Sequence, residues 1–267
     1  MNNKPIGIFD SGVGGLTVAL EVTKQLPNEE IIYFGDNGRN PYGVRSKDEI
    51  TDFSKQIIRF LLTHDVKAVV IACNTATIAS LEEVVKEFKV PIFGVVGPGV
   101  ESTINTTKNK KVGLIATESS VKSGSYQRLI KEEDNEIQIY AKACPLLVTI
   151  AEECLFDTEI SYHAVKHYTD ELIEEGIDTL VLGCTHFPLH RRNLERVLGE
   201  RVKLVDPALK TVEGLKAFLE KNEELRNNNE DINHKFYVSG NTEKFKEILD
   251  CVLEGNFIAE RIDIEKY

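Results

Sequence analysis

Residues 60–73 read FLLTHDVKAVVIAC, and residues 171–184 read ELIEEGIDTLVLGC. The two stretches lie over each other without a gap, apolar on apolar at Leu61/Leu172, Leu62/Ile173 and Val66/Ile177, and on through the strand to Cys73/Cys184. Each stretch holds a helix end, a turn, a nearly all-apolar run of strand length, and a cysteine where the run stops. A strand apolar on both faces belongs to a parallel sheet covered by helices on both sides. PIGIFDS (5–11) and KVGLIAT (111–117) repeat the relation, glycine on glycine. The matches predict an α/β chain of two similar wound parallel-sheet domains related by pseudo-symmetry, each with one cysteine at a strand's C-terminal end. Ligands of open α/β sheets bind outside those ends, so the expected site lies between the halves, with a thiol on either side.

The rest of the chain alternates strand-like and helical patterns as a wound sheet requires. Strands are expected at 6–9, 30–36, 68–73 and 90–96, with helices at 17–26, 48–63 and 76–88. Gly97-Pro98-Gly99 breaks the rhythm and reads as a linker. After it come strands at 111–117, 136–142, 179–184 and 202–207, and helices at 124–131, from 146, and at 162–175. The tail reads as a helix at 209–219, a solvated polar loop at 222–235, a strand at 236–240 and a helix at 243–253. The division expected is a first domain of residues 1–97 plus 208–267 and a second of 98–207.

Composition narrows the chemistry. With 32 Lys and Arg against 43 Asp and Glu the net charge is −11 and the pI near 5.2, and no basic run exceeds two residues, which argues against nucleic acid as a partner. No run approaches a bilayer span and the N-terminus lacks the long apolar core of a signal peptide, so a cytoplasmic location is expected, with no membrane partner. Five cysteines without a CxxC pair fit reduced thiols better than disulfides or a metal site.

A single strand cysteine is most often a small buried hydrophobe, and Cys144, Cys154 and Cys251 take that reading. Cys73 and Cys184 differ because each repeats the other's context and each runs at once into polar residues, Asn74-Thr75 and Thr185-His186, at a strand-to-helix turn. Such turns present free backbone N–H groups to anions. Two thiols flanking a small anion suit proton transfer at carbon from both faces: one removes a proton while its counterpart delivers one, and reversal exchanges their protonation states. That is a racemase layout, and it calls for neither cofactor nor metal.

The set DSGVGGLTV (10–18), DNGRNPYG (36–43), ACNTAT (72–77), ACPLLVTIAEE (143–153) and GCTHFPL (183–189) resembles the bacterial glutamate racemases of the aspartate/glutamate racemase family, over most of the chain. The resemblance implies a cofactor-independent enzyme, usually a homodimer, that interconverts L- and D-glutamate and supplies D-glutamate for peptidoglycan. It implies Cys73 and Cys184 as the paired acid and base, with Cys73 acting on the D-form and Cys184 on the L-form. It also implies catalytic parts for Asp10, near the first cysteine, and for His186 and Glu152 on the Cys184 side, and contact of Ser11 and of the Tyr42-Gly43 backbone with substrate. From the residues themselves, Asn74, Thr75 and Thr185 are candidate carboxylate binders, and Thr117 is a further contact because the repeat sets it opposite Ser11. His64, His163, His167, His190 and His234 are read as surface or packing residues.

Three other readings compete. IGIFDSGVGG followed by a helix and a strand ending at Asp36 resembles a dinucleotide-binding unit, although Thr17 stands where the third fingerprint glycine belongs. A cysteine hydrolase leaves the second thiol without a task. Aspartate is the alternative substrate, because two-thiol chemistry is indifferent to one methylene.

Overall fold

The computed structural model describes residues 2–226, 232–253, 255 and 257–267. The first part of the chain runs β1 (Ile6–Asp10), α1 (Leu16–Gln25), β2 (Ile31–Gly35), α2 (Lys47–Thr63), β3 (Ala68–Ile71), α3 (Asn74–Glu87), β4 (Ile92–Gly94) and α4 (Val96–Thr106). The middle runs β5 (Lys111–Ala116), α5 (Glu118–Ser123), α6 (Ser125–Glu133), β6 (Gln138–Ala143), α7 (Pro145–Glu152), α8 (Glu159–Glu174), β7 (Thr179–Gly183), α9 (Arg191–Leu198) and β8 (Lys203–Val205). The tail adds α10 (Pro207–Lys221), β9 (Lys235–Val238), α11 (Thr242–Val252) and β10 (Ala259–Arg261).

The strands form two sheets, in the orders β10-β9-β2-β1-β3-β4 and β6-β5-β7-β8, with every neighbouring pair parallel. Helices cover both faces of both sheets, which is why β1, β2, β3 and β7 are buried along their whole length. Edge strand β4 is only half-buried.

The two halves match in register as well as in sequence. Gly7 of β1 pairs with Val69 of β3, and Gly113 of β5 pairs with Leu180 of β7, so aligned residues pair with aligned residues. A methyl at Gly7 would press on Leu61 and Val66, and one at Gly113 on Ile177, Leu180 and Leu172, so each glycine lets the same helix end and turn close over its strand. The turns agree too: Asp65 (φ 55°) and the aligned Gly176 (φ 75°) both take the left-handed conformation that ends a helix.

Several expectations change. Gly97-Pro98-Gly99 is no linker but the first turn of α4, where a proline's missing N–H costs nothing because first-turn amides have no partner within the helix. The strand expected at 90–96 shrinks to 92–94 for the same reason, its last residues capping that helix. Short α5 and β10 carry too few residues to display a period, and α9 fills the stretch between the strands expected at 179–184 and 202–207, where no element is expected. Of the polar stretch 222–235, residues 227–231 lie outside the described residues. Its first residues, Asn222 and Glu223, are exposed as expected, but Arg226 is buried: its backbone N–H donates to Glu29, and its guanidinium pairs with Glu30 at 3.1 Å.

Candidate active site

Both cysteines stand where their sheets change winding direction. From β1 the chain goes to β2 on one side and then to β3 on the other; from β5 it goes to β6 and then to β7. The gap between β1 and β3 therefore opens beside Cys73, and that between β5 and β7 beside Cys184. Cys73 caps α3, its Sγ accepting the Ala76 N–H at 3.4 Å, and lies 3.7 Å from the Ser11 hydroxyl. Cys184 follows the last residue of β7 and is as deeply buried.

The two sheet ends face each other across a cavity of about 170 Å³, with both cysteines in its wall. Pockets for drug-sized ligands measure roughly 300–1,000 Å³, so the space suits a smaller molecule. Ser11, Asn74, Thr75, Thr117, Thr185 and His186 line it with polar groups. Tyr42, Gly43, Val44, Pro145 and Val148 supply an apolar side.

Crossing contacts hold the halves together, and they share one pattern. The threonine just past each cysteine reaches the end of the other half's first strand: Thr75 Oγ1 meets Thr117 Oγ1 at 3.1 Å, and Thr185 Oγ1 donates to Asp10 Oδ1 at 3.1 Å. A third crossing bond runs from the Tyr126 hydroxyl to Asn74 Oδ1 at 2.6 Å. The glycines of DSGVGG serve this closeness. A methyl on Gly14 would stand 2.4 Å from Thr185 Oγ1 and 2.8 Å from both His186 Nδ1 and the Thr185 carbonyl carbon. The loop is thus filled by the other half of the protein, where a dinucleotide-binding loop would hold its phosphates.

On the Cys184 side, His186 Nδ1 lies 3.6 Å from the sulfur and Nε2 is 2.7 Å from Glu152 Oε1, which also accepts from Asn40 Nδ2 at 3.1 Å. Burial alone would lower the basicity of His186, but its bonds to Cys184 and Glu152 outweigh it and hold the imidazole well above its usual pKa. Burial also works against the charged form of Glu152, yet the His186 bond and charge keep its carboxyl below the usual value. The result is a partly buried ion pair whose positive ring faces the Cys184 sulfur.

On the Cys73 side the balance differs. Burial, with the nearby Asp10 charge adding to it, pushes the Cys73 thiol up to about 12, so this group is protonated at neutral pH. Asp10 is fully buried, and burial raises its carboxyl pKa despite the His186 charge and donation from Gly12.

Of the remaining expected residues, Tyr42 and Gly43 reach the cavity wall, but the Tyr42 hydroxyl is turned away and bonded to Asp36, itself held by Arg39 at 2.8 Å and Ser239 at 2.6 Å. Thr185 spends its hydroxyl proton on Asp10, so any grip it has on a carboxylate comes from elsewhere than that proton. Glu153, beside Glu152, turns instead to Lys244 at 2.5 Å. Cys144 is buried in the second-sheet core, and His190 is a packing histidine bonded to Ser161 and the Leu147 carbonyl, both at 2.8 Å. Asn40 stands in the sequence only as a member of DNGRNPYG, and Tyr126 has no local signal there.

The depressed Glu152 carboxyl has a consequence for stability. A carboxylate whose folded pKa lies below its unfolded value stabilises the protein above the unfolded value, here 4.5, and loses that contribution as the pH falls through the folded value. Glu152→Gln is therefore expected to lower stability at pH 7 by about 1.5–3 kcal/mol, the range for hydrogen bonds to charged groups. The difference in Tm between the two proteins should shrink steadily as the pH drops below 4.5; a difference independent of pH means the carboxylate charge is not what stabilises.

Residues 17–215 match the family described as Asp/Glu/Hydantoin racemase. The glutamate racemase of Thermoanaerobacter pseudethanolicus is 46% identical over 271 residues, covering 100% of both chains. Among solved structures, a glutamate racemase isoform from Bacillus anthracis superposes with a TM-score of 0.93 at 38% identity, covering 98% of each chain. The glutamate racemase of Francisella tularensis in complex with D-glutamate superposes with a TM-score of 0.90 at 34% identity over 100% of both.

Proposed function

The chain belongs to the Asp/Glu/hydantoin racemase family and is a glutamate racemase, and we propose that it inverts the α-carbon of glutamate by proton transfer between Cys73 and Cys184, without metal or organic cofactor. The observation that carries this reading is the cavity itself: two strand-end thiols line it, one from each half of a duplicated fold.

In this reading the substrate α-carboxylate rests on the N-terminus of α3, met by the Asn74 amide and the Thr75 hydroxyl, with Ser11 and the Thr117 hydroxyl beside it. These donors and the positive helix end stabilise the charge that spreads onto the carboxylate as the α-proton leaves. The thiolate of Cys184, faced by the imidazolium of His186, removes the proton of the L-form, while the protonated Cys73 delivers one to the opposite face. Glu152 keeps His186 charged. In the reverse direction Cys73 acts as base, with Asp10 adjusting the field around its sulfur. We assign residues 1–97 plus 208–267 and 98–207 to the two lobes that enclose the substrate. By the resemblance of its motifs, the enzyme acts in the cytoplasm as a homodimer and supplies D-glutamate for peptidoglycan. Among the described residues no helix is long and apolar enough to cross a membrane.

Incubation with L-glutamate in deuterated water, without added cofactor, tests the mechanism. The D-glutamate formed is expected to carry deuterium at the α-carbon. Racemisation without uptake of solvent deuterium excludes two-base exchange through the thiols, and turnover of aspartate in place of glutamate changes the substrate.

A further inference from the structure

Tyr126 lies in α6, fully buried in the core of the second lobe. Its hydroxyl crosses to the first lobe and donates to Oδ1 of Asn74, 2.6 Å away. Asn74 is the first residue of α3, beside Cys73, and is in the cavity wall. A carboxamide has one acceptor end and one donor end, and this bond occupies the acceptor end. Among the described residues the donor end, Nδ2, makes no hydrogen bond, and it is not among the buried polar atoms left without partners. Nδ2 is thus not sealed off, and Asn74 lines the cavity that holds both thiols, where an anionic substrate would be its partner.

The surroundings make the hydroxyl's position specific. Gly99 of α4 faces it: a methyl there would stand 3.0 Å from the Tyr126 oxygen and 3.1 Å from Pro207. Gly99 thus lets α4 pass close to the phenol that reaches Asn74. Without that phenol the amide is free to turn and present its carbonyl oxygen to the substrate, an acceptor facing an anion.

We propose that Tyr126 is a positioning residue that sets substrate affinity by fixing the Asn74 carboxamide with its N–H groups toward the substrate carboxylate. The proposal rests on the reading of Asn74 as a carboxylate binder. Because the bond joins the two lobes, the donor reaches its working orientation only when the lobes are together.

A double-mutant cycle on racemisation tests it. Tyr126→Phe is expected to lower kcat/KM roughly tenfold, the effect of losing one hydrogen bond's worth of orientation, chiefly through a rise in KM. Asn74→Ala should lower it at least as far, and Tyr126→Phe added to Asn74→Ala should then change nothing further. Gly99→Ala disturbs the same bond from the other side and should likewise lose its effect in the Asn74→Ala background, which keeps the test valid if one variant folds poorly. Thermal melts of each protein accompany the kinetics. If Asn74→Ala alone leaves KM unchanged, Asn74 is not a substrate ligand and the underlying reading fails. If Asn74→Ala impairs binding but the effects of Asn74→Ala and Tyr126→Phe multiply, Tyr126 acts through general packing and the proposal fails.

Discussion

Cys73→Ala and Cys184→Ala are each expected to lower kcat/KM for racemisation by roughly 10²–10⁴-fold, the contribution of a positioned acid or base in the transition state. The loss must be equal in the two directions. Enantiomers have the same free energy, the equilibrium constant is one, and no variant can alter that ratio. What separates the cysteines is isotope exchange. A variant that keeps one thiol keeps access to one face, so it can still remove and return a proton there without inverting the carbon. In deuterated water Cys73→Ala should slowly exchange the α-hydrogen of L-glutamate only, and Cys184→Ala that of D-glutamate only. The opposite pattern would reverse which face each cysteine serves, while a near wild-type rate in either variant returns that cysteine to the structural class. Both side chains are small and buried at strand ends, so the fold should survive the change.

Gly14→Ala is expected to do comparable harm from a residue with no side chain to offer. The added methyl would meet Thr185 Oγ1 at 2.4 Å and, at 2.8 Å, the Thr185 carbonyl carbon, which is backbone and cannot swing aside. Relief requires the DSGVGG loop and the Thr185-His186 turn to move apart. That displacement breaks the bond from Thr185 to Asp10 and shifts His186 against the Cys184 sulfur. Overpacking of this kind costs about 1–3 kcal/mol. The shift in Tm should be a few degrees, at roughly 2–4 °C per kcal/mol for a chain near this size. Activity should fall much further, about 10²-fold, because a displacement near 1 Å between reacting groups is enough. Calorimetry and steady-state kinetics on the same preparation separate the two effects. Unchanged kcat/KM would mean that the loop and the turn move independently of the chemistry.

The contrast between these two substitutions marks how far the sequence alone could be read. Cys73 and Cys184 were legible because their context is local and is written twice: an all-apolar run, a stop, a polar turn. The same duplication made the two lobes visible, and the structure extends it to backbone register, with Gly7 opposite Val69 as Gly113 is opposite Leu180. DSGVGG was legible only as a loop of small residues, which fits a nucleotide site as well as a close lobe contact. Its partner, Thr185, bonds Asp10 of the same loop across 175 residues.

What the sequence by itself determined is therefore the order and type of most elements, the division into two wound sheets, and the placing of one thiol at each switch point, because hydrophobic continuity and strand ends are properties of neighbouring residues. What only the tertiary structure decided is which groups from the two lobes meet. Glu152 bonds His186 while Glu153 bonds Lys244, since consecutive helical residues point about 100° apart. Asn40 joins Glu152 across 112 residues, Thr185 joins Asp10 across 175, and Tyr126 joins Asn74 across 52. Such pairs depend on how two finished sheets pack, and packing is set by the summed shape of both lobes, a quantity that no short stretch of chain contains.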